Sequence, residues 1–130
     1  MPTNLIIDLE TVSTSGDAGI LAVAMTAYSE KDADKSLDKL VAENSILIKL
    51  DIRDQLNNYG RQIDPETMDW WKKQGEPAKK ILKPLESDIK VADLEGIIEE
   101  FCRKHNYDGT GFIWQRGNLD IVWLDGLIKA

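Results

Sequence analysis

Asp8 and Glu10 stand two residues apart near the end of an apolar run, Asn4-Leu5-Ile6-Ile7-Asp8-Leu9-Glu10-Thr11. On a strand, successive side chains point to opposite faces, so both acids share a face with Ile6, while Leu5, Ile7 and Leu9 share the other. Carboxylates that close repel each other, and a divalent cation held by oxygen donors relieves the repulsion. Acids solvated at a strand end are the plainer alternative. A third carboxylate, Asp120, falls just past a short fourth strand, in the first turn of the last helix. If that strand pairs beside the first, Asp120 lands near Asp8 and Glu10, and three acids meeting at strand ends favour a metal site.

A second chemical feature is the pair Trp70-Trp71. Adjacent helical residues point about 100° apart, so one ring is expected in the core and the other at a rim. Lys72, Lys73, Lys79, Lys80 and Lys83 surround the pair, with Glu76 the acid set among them. Aromatic stacking with phosphate attraction is a common way of holding single-stranded nucleic acid, and simple packing is the alternative. His105, the single histidine, follows an amphipathic helix and reads as a helix-end or surface residue. Cys102 has no cysteine to pair with and no Cys or His cluster around it, so it reads as a small apolar residue in a reducing compartment.

The elements that must position these residues follow from periodicity. Asn4 to Thr11, Ile20 to Tyr28 and Ser45 to Leu50 have strand length and composition, the first two joined by the turn Ser13 to Gly19. This order predicts a three-stranded meander, with the charged stretch Ser29 to Lys39 as a solvated turn. Pro65 opens a helix, and Glu76 to Lys83 forms a second, short one. Over Asp93 to His105, Leu94, Ile97, Ile98, Phe101 and Cys102 share one helical face. Gly111 to Gln115 is a short strand, after which Asn118 can cap a helix that turns Leu124, Leu127 and Ile128 inward.

With 130 residues, 42% of them hydrophobic, the chain can bury the core of one domain. Sixteen basic against 23 acidic residues give a charge of -7, which argues against broad coating of nucleic acid but leaves room for a local basic groove. No apolar run approaches a membrane span, and the N-terminus lacks the pattern of a signal peptide. A soluble protein of the cytoplasm, without membrane partners, is the expectation. The order of three strands, a helical region, a strand and a helix fits the first part of a ribonuclease H-like α/β fold: a mixed sheet flanked by helices, without the last strand and helix.

Two motifs carry a resemblance. "IIDLET" resembles the first motif, Asp-x-Glu-Thr, of the DnaQ-like, or DEDD, 3'-5' exonucleases, and "RGNLD" at Arg116 to Asp120 resembles their second. The DexA-like phage exonucleases are similar in a further way, pairing an Arg-Gly-x-x-Phe-Asp motif with a "WWxxQ" segment, here Trp70 to Gln74. Leu119 stands where that pattern has an aromatic residue. The resemblance implies two Mg2+ or Mn2+ ions and a metal-dependent 3'-5' exonuclease, DNA being the expected polymer and a single-stranded 3' end the expected partner. It implies that Asp8 bridges the ions, Glu10 holds the one that activates water, and Asp120 supports the other. Thr11 and the backbone around Leu9 would lie beside the terminal nucleotide, with Trp70 and Trp71 in further contact. Arg116 would touch a phosphate or orient its loop.

The family's third motif, a helix with a histidine base and a fourth metal-binding aspartate, is not found after Asp120. Asp125, in the same helix, cannot replace it. Residues 1–130 therefore read as the N-terminal portion of one exonuclease domain, with activity near background on their own and an uncovered sheet edge open to self-association. A catalytically dead module binding nucleic acid or protein, and an exoribonuclease, are the alternatives.

Overall fold

The computed structural model describes residues 2–116 and 120–129. Four strands, β1 (Asn4–Thr11), β2 (Ile20–Tyr28), β3 (Ser45–Lys49) and β4 (Ile113–Trp114), form one sheet in the order β3-β2-β1-β4. β1 and β2 pair antiparallel, as do β2 and β3, whereas β4 lies parallel to β1, with Leu5 opposite Ile113 and Ile6 opposite Trp114. The expected α/β mixed sheet, with the fourth strand beside the first, is thus borne out.

Alternation decides what β1 buries. Leu5, Ile7 and Leu9 are almost fully enclosed, whereas Ile6 is 44% exposed and Asp8 faces solvent. The enclosed face packs with Val23, Met25 and Ile48 of the neighbouring strands against two helices, α5 (Val91–Lys104) and α6 (Asp120–Lys129), which contribute Leu94, Phe101, Leu124 and Leu127. Each such side chain contributes roughly 1.5–3 kcal/mol by leaving water. α5 begins two residues before the expected Asp93 because the Val91 N–H finds an outside acceptor, Oδ2 of Asp54, at 2.9 Å.

A smaller cluster of Val12, Leu21 and Trp71 lies beneath α3 (Pro65–Lys72), the short α4 (Glu76–Lys79) and a 3-10 turn at Lys80–Leu82. Leu21 is the extra residue where the β1–β2 register shifts between Glu10 and Thr11. β4 is shorter than expected. A Cβ at Gly111 would stand 1.8 Å from the Thr3 carbonyl oxygen, so only glycine lets the chain enter the sheet there.

Two helices correct the sequence reading. The stretch Ser29 to Lys39, expected as a solvated turn, holds a buried Asp32, whose carboxylate accepts from the Ser29 N–H and pairs with Lys35 at 3.0 Å. Its end, together with the residues beyond it, forms α1 (Leu37–Asn44), capped by the Ser36 hydroxyl, which accepts from the Lys39 N–H. The meander's second connection is therefore helical. The second unexpected helix, α2 (Ile52–Asn58), is capped by Asp51 and carries Gln55, whose amide bonds both the N–H and the carbonyl of Ile20, at 2.7 and 2.8 Å. The expected cap Asn118 lies outside the described residues, as does Leu119. Among the described residues, no helix is long and apolar enough to cross a membrane.

Candidate active site

β1 delivers Asp8 and Glu10 to its outer face near the register shift, and Asp120 is the first residue of α6. The Leu9 N–H donates to Oδ2 of Asp120 at 3.3 Å, so the third carboxylate reaches the backbone between the other two acids. Burial raises the pKa of Glu10, and the charges of Asp8 and then Asp120 raise it further. Asp120 is also raised, by burial first and by Asp8 as well, against the opposing hydrogen bond from Leu9. The three acids therefore share one field. Among the described residues, no three His, Cys, Asp or Glu side chains close around a single point that could hold a metal ion. The arrangement is an open cluster of oxygen donors. Its chemistry is that of hard anionic ligands, whose mutual repulsion a divalent cation would relieve.

α6 is seated by contacts that sequence reading does not find. The Gln115 amide oxygen accepts from the Ile121 N–H at 2.9 Å, closing part of the first turn. One turn on, the Trp123 indole donates to the Ser15 carbonyl at 2.6 Å. Arg116 is exposed on the loop before the helix.

Beside the acids lies a cleft of about 450 Å³ lined by Leu9, Glu10, Thr11, Thr14, Asp64, Glu66, Thr67 and three tryptophans, Trp70, Trp71 and Trp123. The tryptophan pair divides as expected. Trp71 is 5% exposed and donates its indole N–H to the Thr11 carbonyl at 2.9 Å. Trp70 is 55% exposed and meets Trp71 edge-on, with ring centroids 5.1 Å apart and planes at 81°. The Thr11 hydroxyl donates to the Ser13 carbonyl at 2.7 Å, so both of these Thr11 groups shape the loop. Lys72, Lys73, Lys80 and Lys83 are exposed on the segment that follows, while Lys79 makes a long 3.9 Å pair with Glu76.

A roomier hollow of about 590 Å³ runs along α5 past Ile97 and His105, and none of the three acids lines it. His105 ends α5, as expected. Its carbonyl accepts from the Thr3 hydroxyl, its ring lies 4.6 Å from that of Phe101, and burial, aided by Lys104, lowers its pKa. Cys102 is half-buried against the core, and burial raises its thiol pKa. Asp125 points to solvent and pairs with Lys129 at 3.0 Å.

Comparison with known proteins gives the family and the likeness of fold. An exodeoxyribonuclease of Enterobacteria phage T4 is 29% identical over 131 residues, matching 97% of the chain and 56% of its own length. Among solved structures, cell-death related nuclease 4 (CRN-4) superposes with a TM-score of 0.52 over 87% of the chain and 34% of its own, at 14% identity, a likeness of fold. The chain thus spans about half of the phage relative and a third of the nuclease. The model of the 3'-5' exoribonuclease Rv2179c-like domain matches residues 3–130, and the chain belongs to that family, a branch of the DnaQ-like exonucleases.

Proposed function

We propose that the chain forms the metal-binding and 3'-end-binding part of a nuclease that removes nucleotides from nucleic-acid 3' ends by two-metal hydrolysis. Asp8, Glu10 and Asp120 would hold Mg2+ or Mn2+, which when bound supplies charge neutralisation at the phosphate and a water of lowered pKa. The observation that carries this reading is the hydrogen bond from the Leu9 N–H to Asp120, which brings a carboxylate from 111 residues away to the strand end that carries Asp8 and Glu10. The rest falls to the chain's own groups. Leu9 and Thr11 form the wall against which the terminal nucleotide rests, and the exposed ring of Trp70 offers its base a stacking surface. Arg116 and the lysines after Trp71 attract the following phosphates. The single histidine, His105, lies beside Thr3 and lines a different hollow from the acids.

The family description speaks of RNA and the phage relative's name of DNA, so the test supplies both. Single-stranded DNA and RNA of one sequence, labelled at the 5' end, are incubated with excess protein and manganese. A ladder shortening from the 3' end, absent with chelator and absent for Asp8→Asn, is the expected result. Identical products from wild type and Asp8→Asn would refute the assignment.

A further inference from the structure

Arg61 is a buried cation that the proposed chemistry does not use. It is 8% exposed, its Nε is shielded from solvent with no hydrogen-bond partner, and among the described residues its guanidinium forms no ion pair. A guanidinium buried without a counter-charge is unfavourable unless its surroundings hold it there. Two things do. The backbone is tied on both sides, the Arg61 N–H to the Gln55 carbonyl and the Gln62 N–H to the Asp17 carbonyl, with Gln62 in turn accepting from Gly19. The side chain lies over α6 at Gly126, where a Cβ would come within 3.1 Å of Nη2 and 3.9 Å of Nη1.

Gly126 completes a series. Asp120, Trp123 and Gly126 are spaced by three, so they follow one row inclined around the helix. Each meets a different segment: Asp120 accepts from the end of β1, Trp123 donates to Ser15, and Gly126 lies under the Arg61 guanidinium with no room for a Cβ between them. The contact at Asp120 is the long one, at 3.3 Å, and it lies about 9 Å along the helix axis from Gly126. A helix fixed at its middle and far end keeps its first residue in register, whereas one released at Gly126 can tilt and draw Asp120 off Leu9.

We infer that Arg61 is a positioning residue, seating α6 through Gly126 so that the Asp120 carboxylate stays on Leu9 beside Asp8 and Glu10. The inference rests on the proposed metal site only for its functional consequence. Its structural content is the Leu9–Asp120 contact itself.

Two readouts test it on wild type, Arg61→Ala and Arg61→Lys. One is the amide proton resonance of Leu9 without metal, and the other is the manganese dissociation constant from calorimetric titration. Arg61→Ala should shift the Leu9 amide toward the position of a non-bonded N–H and weaken manganese binding by about 10- to 100-fold, as loss of an orienting group does. Arg61→Lys should fall between. If Arg61→Ala does not fold, Gly126→Val, which drives two methyl groups into the seat from the helix side, should give the same two changes. A folded variant with a lower melting temperature but an unmoved Leu9 amide would overturn the inference, whatever the metal does. A wild type that binds no manganese, with the Leu9 amide still shifting in Arg61→Ala, would overturn the metal site and leave Arg61 as the seat of α6.

Discussion

Replacing each tryptophan of the pair by alanine separates packing from substrate contact. Trp71 is 5% exposed, fills the second core cluster and donates to the Thr11 carbonyl. Truncating a buried aromatic of this size costs about 3–5 kcal/mol, and about 1 kcal/mol more follows from the unpaired carbonyl. In a domain stable by about 5–15 kcal/mol, Trp71→Ala should shift the urea midpoint severely or prevent folding. Trp70 is 55% exposed and loses chiefly its edge-on contact with Trp71, worth about 0.5–1.5 kcal/mol. Its binding role is larger. A stacked base contributes about 1–3 kcal/mol, so Trp70→Ala should weaken binding of a short single strand by about 5- to 150-fold. Urea unfolding followed by circular dichroism gives the first quantity, and fluorescence anisotropy of a labelled oligonucleotide across a salt series gives the second. Binding should fall with salt through the lysines beside the pair, despite the net charge of -7. If Trp70→Ala destabilised the fold as much as Trp71→Ala and left anisotropy unchanged, the cleft would not be a base-binding surface.

Four further outcomes follow. Burial alone would raise the pKa of Asp32, but the hydrogen bond from Lys35, the Ser29 N–H and the Lys35 charge lower it, so its stabilisation is full above the unfolded carboxylate value and is lost as pH falls through the lower folded one. His105 is held below its ordinary 6.5, so on acidification the unfolded chain takes up that proton first; the urea midpoint should fall as pH drops through about 6.5, and His105→Gln should flatten that portion of the curve. Gln55→Ala removes both bonds to Ile20 in a fully buried setting and should cost about 2–4 kcal/mol, measured by chemical unfolding. The outer strand β4 exposes Ile113 and Trp114, so sedimentation velocity should show concentration-dependent association that Ile113→Lys reduces.

β1 and β2 were legible because each carries a contiguous apolar run, and on β1 the alternation matches what it buries, whereas the short β4 leaves both Ile113 and Trp114 exposed. α5 was legible because Leu94 and Phe101 recur at helical spacing and are the residues it encloses. α1 was not, and the reason is physical: Leu37 and Val41 are 75% and 51% exposed, so the helix rests on its Ser36 cap and has no apolar stripe to read. α2 escaped notice because its decisive contact is a polar side chain, Gln55, bonding a strand 35 residues away. The site divides along the same line. Asp8 and Glu10 share a face by strand geometry, and Asp120 was placed by the expectation that the fourth strand pairs beside the first. The groups that seat Asp120, namely Gln115, Ser15 and Arg61, act through single long-range contacts that leave no periodic trace.

The measurement closest to the central claim is paramagnetic broadening of backbone amide resonances by manganese. Titrated into isotopically labelled protein, the ion should erase the amides of Asp8, Leu9, Glu10, Asp120 and Ile121 at substoichiometric levels while sparing those of Asp32, Lys35 and His105, and Asp8→Asn should abolish the effect. Broadening centred on Asp64 and Glu66 or on Asp32 and Glu43, or no selective broadening at millimolar manganese, would contradict a metal site at the end of β1.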